Sequence, residues 1–225
     1  MRGANLKRAP VFHDGSVLGV KRIFSTIQGE GPMQGWPAVF VRLGGCNLAC
    51  EFCDTFFEDF LQLKIDEIID KIYSLLTHLP NTLGYLIVIS GGEPLRQPIQ
   101  LLCDTLVNLG FIVQIETNGT IYRQLPREVT IVCSPKYNTS YIAPDQRFVQ
   151  HKANFFLKFL VSERVEGYNS IPDFGFNFPR EQVLLQPMDE FDEQLNQNNA
   201  RLAVRLAIKY NFKLCLQIHK ILNIE

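Results

Sequence analysis

Short apolar runs alternate with segments of helical periodicity along most of the chain. In the segment 64–78, for example, Ile65, Ile68 and Ile72 recur at the spacing of one buried helix face. Strands that alternate with helices imply crossover connections, and these in turn imply a parallel sheet. The pattern predicts strands at 38–43, 85–90, 111–119, 129–136, 155–161, 182–187 and 212–219, and helices at 64–78, 96–110 and 192–210.

The length of the chain limits how many strand–helix units it can contain. A complete eight-unit barrel needs roughly 250 residues, and this chain has 225. We therefore predict an α/β fold, an incomplete (β/α) barrel with mostly parallel strands. We assign residues 21–225 to this domain and expect residues 1–20 to be an N-terminal extension, poorly ordered or at a sheet edge.

Charge and hydropathy argue against several classes of partner. The formal net charge is −1, so there is no basic excess to attract nucleic acid or an anionic membrane. No apolar run resembles a signal peptide, and none approaches the roughly 20 residues that cross a bilayer. We therefore expect a cytoplasmic protein with no nucleic-acid or membrane partner. Cytoplasmic thiols stay reduced, which favours metal binding by clustered cysteines.

Three cysteines with the spacing Cys-x3-Cys-x2-Cys follow the first predicted strand, at Cys46, Cys50 and Cys53. A structural zinc site needs four ligands, usually from two Cys-x2-Cys pairs, and the sequence has no second pair. A ferredoxin-type cluster also takes four thiolates. Three thiolates leave one iron of a cubane cluster open to a cofactor or substrate. Three unrelated core cysteines are a further interpretation, which the glycine-rich loop disfavours.

The cysteine motif, with an aromatic residue before its last cysteine, resembles the signature of radical S-adenosylmethionine enzymes. That aromatic residue is Phe52, and a second hallmark of these enzymes, GGEP, stands at 91–94. The resemblance implies a 4Fe–4S cluster on the three cysteines, with S-adenosylmethionine completing the coordination of the fourth iron. It also implies a partial or complete (β/α) barrel, in agreement with the strand–helix pattern.

A finer resemblance, to the 7-carboxy-7-deazaguanine synthase family, covers roughly residues 20–225. It implies conversion of 6-carboxy-5,6,7,8-tetrahydropterin to 7-carboxy-7-deazaguanine with release of ammonia, in queuosine and deazapurine biosynthesis. It further implies a lyase that uses Mg²⁺, a flavodoxin or ferredoxin as reductant, and a homodimer. The matching segments are FSTIQGEGPMQGWPAVFVRLGGCNLACEFCDT at 24–55, ISGGEP at 89–94, QIETNGT at 114–120, SPK at 134–136 and LQIHKILNIE at 216–225.

The same resemblance implies which residues bind the substrate. Arg42 carries a planar guanidinium that suits the pterin carboxylate, and it stands on the strand that leads into the cysteine loop. The full set of substrate contacts implied is Ile27, Gln28, Gly29, Glu30, Arg42, Ser90, His219 and the terminal Glu225.

Cofactor contacts are implied as well. Thr55 matches the Mg²⁺ position, and since a threonine offers one oxygen, substrate and water must complete the coordination shell. Glycines in GGEP allow close approach to the cofactor, and Glu93 can support its cation or the loop. No side chain is expected to be catalytic beyond the cluster and S-adenosylmethionine. The cofactor contacts implied are Phe52, Asp54, Gly91, Gly92, Glu93, Thr117, Asn118, Ser134, Pro135, Lys136 and Gln186.

Two other functions share part of this pattern. A glycyl-radical activating enzyme has a similar cysteine loop but acts on a protein, and the segments 24–55 and 216–225 argue against it. A non-catalytic iron–sulfur electron carrier would bind no S-adenosylmethionine, and the count of only three clustered thiols argues against that alternative.

Overall fold

The structure is a computed structural model that describes residues 5–224. Its strands are β1 (Val17–Ile27), β2 (Pro37–Leu43), β3 (Leu61–Lys64), β4 (Leu86–Gly91), β5 (Ile112–Thr117), β6 (Thr130–Cys133), β7 (Phe155–Val161), β8 (Val183–Pro187) and β9 (Lys213–Leu214). Its α-helices are α1 (Ile65–Leu75), α2 (Gln100–Asn108), α3 (Glu193–Tyr210) and α4 (Ile218–Ile221), and 3-10 segments occur at Pro94–Arg96, Gln146–Asn154, Asp173–Asn177 and Arg180–Gln182.

The nine strands of the described chain form one sheet in the order β3-β1-β2-β4-β5-β6-β7-β8-β9. Strand β1 pairs antiparallel with β2 and with β3. Every pairing from β2 to β9 is parallel. Strands β3 and β9 stay at the two edges, so the sheet does not close. The predicted incomplete (β/α) barrel with mostly parallel strands is confirmed.

The helices begin and end where local chemistry allows. Ile65 and Ile68 are buried on the inner face of α1. Helix α3 begins after Asp192, whose Oδ1 accepts a hydrogen bond from Leu195 N at 3.0 Å, and such a cap satisfies an otherwise free helical N–H. It ends at Asn211, which has a left-handed φ of 55°. No helix of residues 5–224 is long and apolar enough to cross a membrane.

Alternate residues of each parallel strand face opposite sides of the sheet. On β2, Val39 and Val41 join the main apolar core that packs under the helices, whereas Phe40 and Arg42 line a cavity on the other side. The same alternation brings polar side chains into the barrel interior from the next strands. These interior residues are Ser90, Glu116, Lys158 and Gln186.

The N-terminal segment packs on the domain. The boundary predicted between residues 20 and 21 falls inside β1, which begins at Val17. Leu18 and Val20 belong to the main apolar core. Further upstream, Arg8 N donates a hydrogen bond to Cys46 O at 2.7 Å, which attaches the segment to the cysteine loop. Residues 17–20 are therefore part of the sheet.

The strand predicted at 212–219 is wrong over most of its length, because only Lys213–Leu214 pairs with the sheet. Beyond these two residues the chain turns across the ends of the other strands. There Ile218 N donates to Gly29 O at 3.1 Å, a bond that draws the segment away from the sheet edge. His219 consequently lies on the short helix α4 and not at the end of a strand.

Candidate active site

A cavity of about 300 Å³ opens at the carboxyl ends of the parallel strands, where parallel α/β folds bind their ligands. Glu93 and Pro135 are buried but are not part of its lining. Glu225 lies outside the described residues. The other residues that the sequence implies for the site all line the cavity: Ile27, Gln28, Gly29, Glu30, Arg42, Cys46, Cys50, Phe52, Cys53, Asp54, Thr55, Ser90, Gly91, Gly92, Thr117, Asn118, Ser134, Lys136, Gln186 and His219.

The loop between β2 and β3 brings three thiols to this cavity. Cys46 is buried, and Cys50 and Cys53 are half-buried. Burial raises the pKa of the Cys46 thiol to about 11, and it also raises the pKa values of the other two. Buried thiolates of this kind need a bound cation to offset their charge.

The three thiols of the cysteine loop all line the same cavity. A structural zinc site takes four ligands on one metal ion, whereas a cubane cluster takes each thiolate on a different iron. Three thiols sharing one cavity therefore fit a 4Fe–4S cluster with one open iron.

The GGEP turn packs directly on the cysteine loop. Gly92 N donates to Leu43 O at 3.3 Å, and Glu93 N donates to Gly45 O at 3.1 Å. A Cβ on Gly91 would lie 2.2 Å from Leu43 O, and one on Gly92 would lie 2.3 Å from Gly45 O. Gly91 also has a φ of 143°, which disfavours other residues. The two glycines are therefore required for contact between the loops, whatever they also do for a cofactor.

The Glu93 carboxylate joins the GGEP turn to the end of β5. Its Oε1 accepts hydrogen bonds from Leu95 N at 3.0 Å and from Thr117 Oγ1 at 2.7 Å. Its Oε2 accepts one from Asn118 N at 2.7 Å. Burial raises the pKa of this carboxyl, although the three bonds oppose that shift. Of the two roles that the sequence suggests for Glu93, this geometry matches support of the loop.

Polar groups that follow β5 and β6 approach the thiols. Lys136 Nζ donates to Ser134 O at 2.7 Å and to Ser134 Oγ at 2.8 Å. Burial lowers the pKa of Lys136, and its ammonium is near enough to Cys50 to favour the thiolate there. Asn118 Nδ2 donates to Asn47 Oδ1 at 3.0 Å, which connects the β5 end to the cysteine loop.

Arg42 and Ser90 are register neighbours on β2 and β4, and both line the cavity. The Arg42 guanidinium carbon lies 5.0 Å from the centre of the Phe24 ring, a cation–π distance. Ser90 Oγ is buried and has no hydrogen-bond partner among the described residues. A buried hydroxyl without a partner is costly unless a ligand supplies one. A guanidinium beside such a hydroxyl is suited to binding a carboxylate.

Two carboxylates and one ammonium form a buried network on another wall. Lys158 Nζ pairs with Glu30 and, at 2.9 Å, with Glu116 Oε2. Gln217 Nε2 donates to Glu30 Oε1 at 2.8 Å, and Gln114 Nε2 donates to Glu116 Oε1 at 2.7 Å. Burial disfavours the Glu30 carboxylate, but the Lys158 ammonium outweighs it and lowers the pKa of Glu30 to about 2. At Glu116 burial prevails and raises the pKa.

Helix α4 closes one side of the cavity. His219 lines it, and burial lowers the pKa of this imidazole, so the neutral form prevails near neutral pH. Lys220 Nζ pairs with Asp54 Oδ2 at 2.6 Å and with Asp189 Oδ2 at 2.8 Å. Burial opposes the charge on Lys220, but the two carboxylates raise its pKa. The C-terminal segment is thereby held to the cysteine loop.

Comparison with known proteins gives the family. No family model matches the chain. A 7-carboxy-7-deazaguanine synthase from Rickettsia prowazekii (strain Madrid E) is 48% identical over 227 residues, which cover 100% of this chain and 96% of the relative. The chain belongs to the 7-carboxy-7-deazaguanine synthase family.

Two further comparisons agree. The synthase of the same name from Rhodospirillum rubrum is 34% identical over 243 residues, with 100% of both proteins covered. The crystal structure of QueE from Escherichia coli matches with a TM-score of 0.70 and 25% sequence identity, covering 89% of this chain and 94% of that chain. The family, the fold and the enzyme class predicted from the sequence are confirmed.

This synthase is accordingly a radical S-adenosylmethionine lyase that uses a 4Fe–4S cluster, S-adenosylmethionine and Mg²⁺. The findings favour neither a glycyl-radical activating enzyme nor a non-catalytic electron carrier.

Sequence reasoning missed several residues that shape the site of the synthase. Lys158 is the one charged residue of the apolar strand FFLKFLV, and its side chain lies on the strand face that lines the cavity. A lone lysine at such a position indicates that a buried carboxylate balances its charge. Glu116 lies in the matched segment QIETNGT, but it is not among the residues implied for the site. Gln217 and Asn5 carry no recognisable signal, because their roles depend on contacts far along the chain.

Proposed function

We propose that the enzyme converts 6-carboxy-5,6,7,8-tetrahydropterin to 7-carboxy-7-deazaguanine and releases ammonia, as a step in queuosine or related deazapurine biosynthesis. One observation carries this proposal: the full-length relationship at 48% identity to a protein named 7-carboxy-7-deazaguanine synthase. The cavity agrees with it, since the motif residues on which the resemblance rests converge there.

Cys46, Cys50 and Cys53 are the residues that would hold the cluster, and the polar groups of the β4, β5, β6 and β8 ends would hold S-adenosylmethionine. The cluster and S-adenosylmethionine supply the radical chemistry when bound. This chain's contribution is to fix the substrate beside them and to exclude water. Lys136 and Asn118 both line that region, and an ammonium and a primary amide suit the carboxylate of an amino acid.

Arg42 and Ser90 would bind the substrate carboxylate, since both line the cavity on neighbouring strands. The pyrimidine edge of a pterin presents N–H donors, which match the Glu30 and Glu116 carboxylates. Gln28 supports these two, because its Oε1 accepts from Glu30 N at 3.1 Å and its Nε2 donates to Glu116 Oε1 at 3.4 Å. The neutral imidazole of His219 would add one donor or acceptor on the α4 side.

Thr55 would contribute one oxygen to Mg²⁺. Its hydroxyl hydrogen donates to Asp54 Oδ1 at 3.1 Å, which leaves the oxygen lone pairs free to face a cation in the cavity. Asp54 is itself held by Lys220. Because one hydroxyl binds Mg²⁺ weakly, the ion should bind together with substrate oxygens and water.

The protein partners of the enzyme and its location in the cell belong to the same proposal. A flavodoxin or ferredoxin would supply electrons, two copies of the chain would form a homodimer, and the enzyme would act in the cytoplasm. The contact of Glu225 with substrate stays a prediction. Support for all of these comes from the family assignment.

Anaerobic turnover tests the function. The reconstituted enzyme with pterin substrate, S-adenosylmethionine, Mg²⁺ and dithionite should yield 7-carboxy-7-deazaguanine by mass spectrometry. Arg42→Lys should lower kcat/KM about tenfold or more, because a bidentate carboxylate contact is lost. Arg201→Lys is a matched control, because Arg201 is exposed on α3 and does not line the cavity. Absence of product from the wild-type enzyme would overturn the function, and equal loss in both variants would overturn the role given to Arg42.

A further inference from the structure

Residues 5–11 run beside the cysteine loop, with Asn5 lining the cavity, and we call this segment the N-terminal clasp. Lys7 forms a parallel bridge with Cys46, and Arg8 N donates to Cys46 O at 2.7 Å. The clasp then attaches to the GGEP side of the site, where Val11 N donates to Arg96 O at 2.9 Å. No catalytic role assigned above accounts for these contacts.

Asn5 is the part of the clasp that reaches a cluster ligand. Its Nδ2 donates to Thr55 O at 2.8 Å and to Cys53 Sγ at 3.6 Å, and its Oδ1 accepts from Phe57 N at 3.1 Å. A primary amide has two hydrogens and one acceptor oxygen, so every polar group of this side chain is used. Phe57 N and Thr55 O also fix which way the amide points. Asn5 is only 5% exposed.

Charged contacts hold the clasp in place beside Asn5. The Arg8 guanidinium pairs with Glu58 and lies over the Phe60 ring at 5.5 Å. Glu58 is buried, so its carboxylate depends on this partner. The clasp is therefore fixed on both sides of the Cys53–Phe57 segment, and the Asn5 amide has a defined position relative to the Cys53 sulfur.

We propose that Asn5 is a positioning residue for the iron–sulfur cluster: its amide orders the Cys53–Phe57 segment and donates a hydrogen bond to the Cys53 thiolate. The hydrogen bond to the Cys53 thiolate rests on the proposed function, because it acts on a bound 4Fe–4S cluster. Reduction adds negative charge to a cluster, and N–H groups donated to its sulfurs stabilise that charge and raise the reduction potential. Asn5 thus makes the cluster easier to reduce than the same loop without the clasp.

Two variants separate the donor from the rest of the side chain. Asn5→Ala removes all three hydrogen bonds. Asn5→Asp keeps an oxygen to accept from Phe57 N but replaces the donor with a second oxygen facing Thr55 O and Cys53 Sγ. Asn81→Ala is the matched control, since Asn81 Oδ1 accepts from Leu83 N at 2.9 Å in an exposed turn away from the cavity.

The first readout is amide hydrogen exchange of the cluster-free protein, which does not depend on the reaction. Asn5→Ala should speed exchange at the Phe57 amide about tenfold, while Asn5→Asp and Asn81→Ala should leave it near the wild-type rate. Exchange in α2 reports global unfolding. If amide exchange in α2 rises in Asn5→Ala, that variant is globally destabilised. The midpoint potential of the cluster in Asn5→Asp, described next, then tests the proposal.

The second readout is the midpoint potential of the loaded cluster, which a merely structural residue would not move. We expect it to become more negative in Asn5→Ala, more negative again in Asn5→Asp, and to stay unchanged in Asn81→Ala. Wild-type potentials in both Asn5 variants, or wild-type exchange at Phe57 in Asn5→Ala, overturn the proposal. If the wild-type protein binds no cluster, the proposed function fails, and the exchange rates still decide whether Asn5 orders the loop.

Discussion

Replacing Gly29 by alanine should disturb the substrate side of the site through one collision. A Cβ at this position would lie 2.0 Å from His219 Nδ1, 2.7 Å from its Cγ and 3.0 Å from its Cβ. Rotation about χ1 of His219 relieves the first two contacts but cannot move its Cβ. Helix α4 must therefore shift by a few tenths of an ångström while the imidazole leaves its place. Gly29 has no positive φ, so alanine adds no backbone strain of that kind.

The expected change in KM follows from the hydrogen bond to the substrate that His219 loses when its imidazole is displaced. One lost hydrogen bond to the substrate is worth about 0.5–1.5 kcal/mol, so we expect KM for the pterin to rise up to about tenfold. Overpacking at the half-buried α4 adds a stability cost of about 1 kcal/mol, which lowers Tm by about 2–4 °C for a chain of this length. The affinity for S-adenosylmethionine should stay the same, because its predicted contacts lie on other loops.

A double-mutant cycle tests the reasoning. In a His219→Ala background only the 3.0 Å Cβ contact remains, so Gly29→Ala should add little further change in KM or Tm. Steady-state kinetics and thermal unfolding of the four proteins measure this. Additive effects of the two substitutions, or a wild-type KM in Gly29→Ala, would show that the collision does not govern the position of His219.

Three further predictions concern charge and the cluster. Lys158→Met should cost about 3–5 kcal/mol of unfolding free energy in chemical denaturation, because Glu30 and Glu116 lose their buried counter-charge. The depressed Glu30 pKa means a contribution to stability that is complete above the ordinary carboxyl range and lost as pH falls toward about 2. Tm should therefore fall over that window, and less steeply in Glu30→Gln. Cys50→Ala should prevent assembly of the 4Fe–4S cluster, measured as iron content and as loss of its EPR signal, whereas Cys103→Ala should retain it.

The fold was predictable because its signals are local. Apolar runs such as 155–161 alternate with segments of helical periodicity such as 64–78. The C-terminal strand was predicted wrongly because KLCLQIH alternates like a strand, while its actual partner, the Gly29 carbonyl, lies nearly two hundred residues earlier. A hydrophobic pattern depends only on residues that are close in sequence, so it cannot predict a contact between residues far apart in the chain.

Site residues that belong to a sequence motif could be predicted. Site residues that only tertiary packing brings to the cavity could not. The cysteine loop was identified from the spacing of its thiols, and GGEP and Arg42 were identified from the resemblance to a known family. Of the two roles suggested for Glu93, its contacts match support of the loop, since its carboxylate binds Thr117 and Asn118 and does not line the cavity. Asn5 remained hidden because an asparagine acquires meaning only from the groups around it, whereas Lys158 was overlooked although it is the one charged residue of an apolar strand.

Both ends of the described chain meet at the same short segment. Asn5 contacts Cys53 and Thr55, and Lys220 contacts Asp54 across 166 residues of sequence. During synthesis the first contact can form early, but the second must wait until Lys220 has emerged from the ribosome. A nascent chain therefore presents the three thiols on a loop that is held from one side alone. Iron–sulfur delivery to this enzyme should accordingly follow the synthesis of the segment that carries Lys220.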